Sequence, residues 1–149
     1  MNDNIDNLLH RENLTLATPR QRIIAFAIDE ILLSIILMII FWDSFANATT
    51  MEQIIELSNR LLLEYMAIKI IYQTFFIMHY GASIGKIVMK IRVIEIKTLS
   101  NPNILSAFNR AVFRIASEIL LYLGFLWAMF DPYKRGWHDF TARTLVING

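Results

Sequence analysis

Three long apolar runs, separated by polar stretches, divide the chain. From Ile23 to Trp42 the sequence IIAFAIDEILLSIILMIIFW is interrupted only by Asp29, Glu30 and Ser34. At about 20 residues it has the length of a helix that crosses a hydrocarbon core of about 30 Å. Thr18 and Pro19 ahead of it form a helix-start signal. The stretch from Asp43 to Arg60 holds Asp43, Glu52, Glu56 and Arg60, turns amphipathic from Met51 onward, and reads as an external loop. A second run, LLLEYMAIKIIYQTFFIMHY from Leu61 to Tyr80, is again about 20 residues long and carries Glu64, Lys69 and Gln73 as polar insertions. The third, from Ile104 to Phe130, is long enough to span, yet Arg110, Arg114 and Glu118 fall in its first half at i, i+4, i+8, one stripe of a helix.

Charge fixes an orientation for these runs. Lys86, Lys90, Arg92 and Lys97 follow the second run against a single acid, Glu95, so that segment is expected to be cytoplasmic, with Arg11, Arg20 and Arg22 of the amino-terminal side beside it. The third run leaves two readings. As a plain span it would put Lys134, Arg135 and Arg143 outside, against the charge bias. Two short β-branched runs, Ile91 to Ile96 and Thr144 to Ile147, have the pattern of strands, and pairing them would satisfy both edges. That pairing needs both on one side of the membrane, which favours a third segment that enters from Ser106, turns near Gly124 and returns by Asp131. The expected fold is an all-α membrane protein with two to three transmembrane helices, the third apolar segment re-entrant, and a short cytoplasmic two-stranded β element. It forms one domain over 1–149: a polar cytoplasmic tail at 1–20, spans at 23–42 and 61–80, the third apolar segment at 104–130, and a cytoplasmic tail at 131–149.

Composition strengthens the membrane reading. Of 149 residues 56% are hydrophobic and 18% charged, where soluble domains average about 45–50% and about 25%. A soluble bundle with buried helices is the competing reading, but such helices average about 11–12 residues and rarely come in successive twenties. The absence of cysteine removes disulfides, thiolate metal sites and Cys nucleophiles. No secretory signal peptide is visible, because residues Met1 to Arg20 are polar.

The segments RQRIIAFAIDEILL, GASIGKIVMKIRVI, NRAVFRI and KRGWHDFTARTLVI occur in this order between Arg20 and Ile147. Together they resemble the consecutive signatures of the RDD family of bacterial membrane proteins. The family is known by one arginine and two aspartates, which the resemblance places on Arg22, Asp29 and Asp139. It implies a bacterial inner-membrane protein with few spans, multi-pass and, by the charge bias above, with its amino terminus cytoplasmic; it carries no agreed activity, although transport of ions or other ligands has been proposed for the family. Where the family usually has an apolar residue after the first aspartate, this chain has Glu30.

Physical chemistry sets expectations for each of these residues. Arg22 and Asp29 share a helix face about 10 Å apart along the axis, too far for a direct ion pair. Arg22 is expected at the cytoplasmic headgroups. Asp29 and Glu30 lie about two turns into the hydrocarbon, where a carboxylate costs several kcal/mol unless paired or protonated. They point about 100° apart, so both cannot face one neighbour. Asp29, by its register with Arg22, is expected to face the interior, with Lys69, Arg114 and Glu118 completing an ionic cluster. Such a cluster either holds the helices together or relays protons and cations.

The remaining motifs carry less. Gly81, Gly85 and Lys86 lack phosphate-loop spacing and are expected to form a cytoplasmic turn, with Lys86 at the headgroups. Asp139 is expected to cap a helix or loop end, or to pair with Arg92 or Arg143. His138 is alone, which is a poor metal site, so no metal and no cofactor are expected. Lys134 to Trp137 read as an interfacial anchor. Two functions stay open: ion or proton transport as a homo-oligomer, with a monovalent cation or proton as ligand, and a non-transporting adaptor for another membrane protein. The bilayer is the expected surrounding; no enzymatic activity and no nucleic-acid partner are expected.

Overall fold

Thr18 opens the longest helix of the chain. Its Oγ1 accepts a hydrogen bond from the Gln21 amide at 3.2 Å, and the Gln21 side chain accepts one from the Thr18 amide at 2.9 Å, so two otherwise orphaned donors are satisfied ahead of Pro19. The computed structural model describes residues 2–120 and 122–149. Met1, at the head of the polar tail, and Leu121, inside the third apolar run, lie outside the described residues. In order the elements are α1 (Asn2–Arg11), α2 (Pro19–Ile40), α3 (Trp42–Ala46), α4 (Met51–Arg60), α5 (Leu62–Tyr80), α6 (Ile84–Val88), β1 (Ile91–Glu95), α7 (Ile104–Ile119), α8 (Leu123–Phe130), α9 (Trp137–Thr141) and β2 (Thr144–Asn148).

Helix α2 buries one narrow stripe, Ala25, Asp29 and Leu33, and leaves Ile23, Ile31, Ile35, Met38, Ile39 and Ile40 exposed. An apolar helix with so little of itself covered is stable only against an apolar medium or a partner. Among the described residues it is the one helix long and apolar enough by itself to cross a membrane. Helix α5 reaches that standard only together with α4, from which it is bent by 53°, because Glu64, Lys69 and Gln73 dilute its apolarity. The expected pair of independent spans is thus one clear span and one bent pair. The expected loop from Asp43 to Arg60 is largely helical: Thr50 and Gln53 form a second reciprocal cap, which starts α4 on the amphipathic pattern visible from Met51.

Helices α7 and α8 form a second bent pair, at 103°. The break falls after Ile119 and before Leu123, close to the expected turn near Gly124; Tyr122 adopts φ 62° and its amide donates to Ser117 O at 2.8 Å. Gly124 lies inside α8, where an added Cβ would stand 2.4 Å from Ser117 Oγ, so its role is the close return of α8 onto α7.

Strands β1 and β2 pair antiparallel, with Ile91 opposite Asn148, Val93 opposite Val146 and Glu95 opposite Thr144. Both faces of the pair are apolar because both are covered. Ala17, Ala25, Ile77 and Ala107 pack with Val93 and Val146 on one face. On the other, Ile5 packs with Ile94, Tyr133, Leu145 and Ile147, and Leu9, Leu14 and Leu16 flank them. The segment expected as a plain polar tail therefore supplies α1 as a cover, its signal being Ile5, Leu8 and Leu9 at helical spacing. It also guards the free edge of β2: Leu16 bridges to Ile147, Ala17 N donates to Val146 O at 3.0 Å, and Asn148 N to Thr15 O at 2.9 Å. These bonds tie the carboxyl terminus to the segment that enters α2, and Val93 N, donating to Gly81 O at 2.7 Å, ties the exit of α5 to the same sheet.

Candidate functional site

The stripe on α2 meets α6, and at the crossing sits Asp29. Gly85 makes the crossing possible, since a Cβ there would stand 2.1 Å from Ala25 O. Asp29 is fully buried. Its Oδ1 accepts from Tyr72 OH and from Gly85 N, both at 2.8 Å; its Oδ2 accepts from Ser83 Oγ at 2.6 Å and from Gln73 Nε2 at 3.4 Å. The nearest cationic atom given to it is Arg114 Nη1 at 3.9 Å, beyond hydrogen-bond distance. Asp29 is thus held mainly by neutral donors.

Lys86 does not reach out to headgroups. It is buried within α6, and its Nζ donates to Ser83 Oγ at 3.2 Å. Burial, reinforced by Arg114, pushes its amine down to about 7 against the opposing pull of Asp29. Gly81, by contrast, does form the expected turn: it caps α5 in the left-handed conformation at φ 67°.

One residue on from Asp29, and about 100° round the helix, Glu30 joins a second group. Lys69 Nζ lies 2.6 Å from Glu30 Oε1 and 2.5 Å from Glu118 Oε2, and Tyr65 OH donates to Glu30 Oε2 at 2.8 Å. Arg114 reaches Glu30 at 3.7 Å and Glu118 at 3.5 Å, with its guanidinium carbon 4.8 Å from the centre of the Phe26 ring. The structure therefore brings Asp29, Glu30, Lys69, Arg114 and Glu118 together, and of the two cations expected near Asp29 it is Arg114 that stands beside it. Lys69 serves Glu30 and Glu118 rather than Asp29. Asp29 and Glu30 do share a neighbour after all, because the guanidinium of Arg114 is broad enough to stand between them.

Asp139 organises a third group at the sheet end of the bundle. Its carboxylate pairs with Arg22 Nη1 at 2.9 Å and with Arg110, which also donates to the Thr144 hydroxyl. Gly136 N donates to Asp139 Oδ2 at 3.1 Å, so the expected capping role is present at α9. The expected partners are not: Arg92 and Arg143 are exposed, and Arg22 and Arg110 take their place. Arg22 is correspondingly not a free headgroup anchor, since it also donates to Lys134 O at 2.5 Å and Val146 O at 3.3 Å. Arg135, expected in an interfacial anchor, is buried in a two-point pair with Asp131 at 2.9 and 3.0 Å. A cavity of about 10 Å³, lined by Gln73, Arg110, Arg114 and His138 among others, joins the Asp139 and Asp29 groups and has room for one water.

The electrostatics of this end are one-sided. Burial alone would raise Asp139, but Arg110 and Arg22 outweigh it and hold the carboxyl well below the usual range. Burial pushes His138 down to about 3, so its ring is neutral near pH 7. A base whose folded pKa is depressed destabilises the fold as pH drops: the unfolded chain binds the proton first, from about 6.5 downward. The melting temperature of the solubilised protein should therefore fall as pH drops from 6.5 toward 3, and His138→Leu should flatten that slope. An unchanged slope in the variant would place the acid lability elsewhere.

Sequence reasoning missed Tyr72, Ser83 and Arg110 as site residues. For Arg110 the signal was present, one turn from Arg114 on the same stripe; Tyr72 and Ser83 carry none that distinguishes them from ordinary helix and turn residues. Among the described residues no group of three His, Cys, Asp or Glu side chains converges as a metal site. The family model described as the RDD family matches residues 16–143. No curated protein matches the chain, and no solved structure does.

Proposed function

This chain belongs to the RDD family, and from that premise we propose that it is a multi-pass protein of the bacterial inner membrane that exchanges a monovalent cation for protons. The family and the apolar α2 fit a membrane protein. The observation that carries the exchange reading is the setting of Asp29: a fully buried carboxylate on an apolar helix, held by Tyr72, Ser83, Gln73 and a backbone amide, with its nearest arginine at 3.9 Å. A carboxylate locked in a tight ion pair already has its counter-charge, whereas one with no cation within hydrogen-bond distance is open to a mobile cation or a proton in that role. Glu30, Lys69, Arg114 and Glu118 neutralise one another beside it. With so few helices per chain, the pathway is formed by a homo-oligomer. In this reading the protein is not an enzyme, and it needs no cofactor and no nucleic acid.

The arrangement supports a definite topology. Pairing of β1 with β2 requires whatever enters the bilayer after β1 to leave it on the same side. Helix α7 has 16 residues and α8 has 8, lengths of about 24 and 12 Å, and their 103° bend suits a segment that enters and returns. Lys90, Arg92, Lys97 and Arg143 lie at the sheet end, which makes that end cytoplasmic. Reporter fusions at the amino terminus and after Gly149 are expected to read cytoplasmic, and one near Thr50 external. An external carboxyl terminus would contradict both the re-entrant segment and this orientation.

Purified protein in liposomes tests the function itself: addition of sodium, lithium or potassium is expected to dissipate an imposed pH gradient. If no cation moves protons at any pH between about 6 and 9, the exchange reading fails. A non-transporting adaptor would then lead, its observation being a surface groove of about 240 Å³ at the sheet end, where Glu95, Lys97, Asn109 and Arg143 offer polar contacts to another protein.

A further inference from the structure

Resting on the exchange reading above, we propose that Lys86 is the group through which Asp29 trades protons with the cytoplasmic side, acting across the hydroxyl of Ser83. The three side chains form one continuous series of hydrogen bonds. Lys86 Nζ donates to Ser83 Oγ at 3.2 Å, and Ser83 Oγ donates to Asp29 Oδ2 at 2.6 Å. All three residues are buried. Ser83 occupies the cap position of α6, where a serine ordinarily accepts a hydrogen bond from the helix's own amides. Its side chain makes no such bond and is turned to Asp29 instead.

The transfer is balanced without any outside reactant. One Nζ–H bond of Lys86 breaks as its proton bonds to Ser83 Oγ, while the hydroxyl's own proton leaves for Asp29 Oδ2. An ammonium and a carboxylate become a neutral amine and a carboxylic acid, and the hydroxyl is regenerated. The summed charge of the relay does not change, so the step creates no new charge in the interior. Protonated Asp29 releases its cation, and the amine recovers a proton from cytoplasmic water.

The surroundings of Lys86 suit the task. Asp29 on α2 and Asp139 on α9 favour its charged form, Arg114 and Arg110 on α7 oppose it, and His138 lies close enough to feel its charge. From α5 the nearest titratable group is Tyr72, whose oxygen accepts from Ile84 N at 3.0 Å, and β1 turns Arg92 to its exposed side. A lysine whose amine sits near 7 takes up and gives up protons at neutral pH.

Two measurements on the full chain test the relay. Nitrogen NMR of the lysine amines in detergent is expected to find the Lys86 midpoint near 7. Asp29→Asn should lower it, because a negative neighbour is removed. In liposomes, Ser83→Ala is expected to slow cation-driven proton movement by about 10²-fold, while Ser83→Thr, which keeps the hydroxyl, stays near wild type. Lys86→Arg, which cannot deprotonate, should be as slow as Ser83→Ala at every pH. A wild-type midpoint near the ordinary lysine value of 10.5 overturns the proposal, whether or not the variants fold. So does a Ser83→Ala protein that works at the wild-type rate. Silent wild-type liposomes overturn the exchange reading alone; the midpoint and its response to Asp29→Asn then still decide whether Lys86 and Asp29 are coupled.

Discussion

Asp139→Asn is expected to lower the stability of the solubilised protein by about 3–5 kcal/mol, the cost of breaking a buried ion pair from one side. The carboxylate is fully buried and is the counter-charge to both Arg22 and Arg110. A carboxamide keeps some hydrogen bonds but leaves two guanidinium groups facing each other with no negative charge between them. The damage is also architectural. Arg22 belongs to α2, Arg110 to α7, Asp139 to α9, and Arg110 extends the group to Thr144 at the start of β2. Removing Arg110 as well, in Asp139→Asn/Arg110→Met, should restore part of the loss, because the pair is gentler to lose than one member. Since the folded carboxyl lies below its ordinary value, its contribution is complete above the unfolded value of 3.8 and should fade only as pH falls below it. The comparison can therefore be made anywhere near neutral pH. A loss below about 0.5 kcal/mol, within the range of ordinary surface substitutions, would show that the two arginines are satisfied without it.

The second large effect is expected at Lys69. Lys69→Met leaves Glu30 and Glu118 with Arg114 alone, at 3.7 and 3.5 Å, where each had a lysine at 2.6 and 2.5 Å. A loss of about 3–5 kcal/mol follows from the same asymmetry. Adding Glu118→Gln should return part of it. Adding Asp29→Asn should return less than Glu118→Gln does, since Lys69 and Asp29 make no direct contact and are linked only through Arg114. Unfolding of the four proteins in one detergent measures this directly. An equal return from Asp29→Asn would show that Lys69 serves Asp29 as directly as it serves Glu118.

The pairing within the charge cluster marks where sequence reasoning stops. The α2 segment, the two strands and the family resemblance were all legible, because each rests on a local pattern: a twenty-residue apolar run, β-branched alternation, ordered motifs. The membership of the charge cluster was legible too, since each of its charges interrupts an apolar run. Which acid meets which base was not, because that depends on the rotation of each helix and on how far a lysine or arginine stem reaches. Asp139 finds its arginines 117 and 29 residues away in sequence, whereas Arg143, four residues on, and Arg92 of the basic segment are exposed. Lys86 looked like a headgroup lysine because it stands in a basic segment with Lys90, Arg92 and Lys97 just after an apolar run; only the close packing of Gly85 on Ala25 carries it inward. The amphipathic α1 was hidden by the polarity of its exposed face, although its apolar stripe covers the sheet.

The claim on which the rest depends is that Asp29 is the exchanging acid, and one paired measurement reaches it. Wild type and Asp29→Asn are reconstituted side by side in liposomes carrying an imposed pH gradient, and sodium, lithium or potassium is added. The account predicts that the wild-type gradient collapses on cation addition, while the variant, incorporated to the same extent and with its circular dichroism unchanged, does not respond. A variant that collapses the gradient as fast as wild type would contradict it.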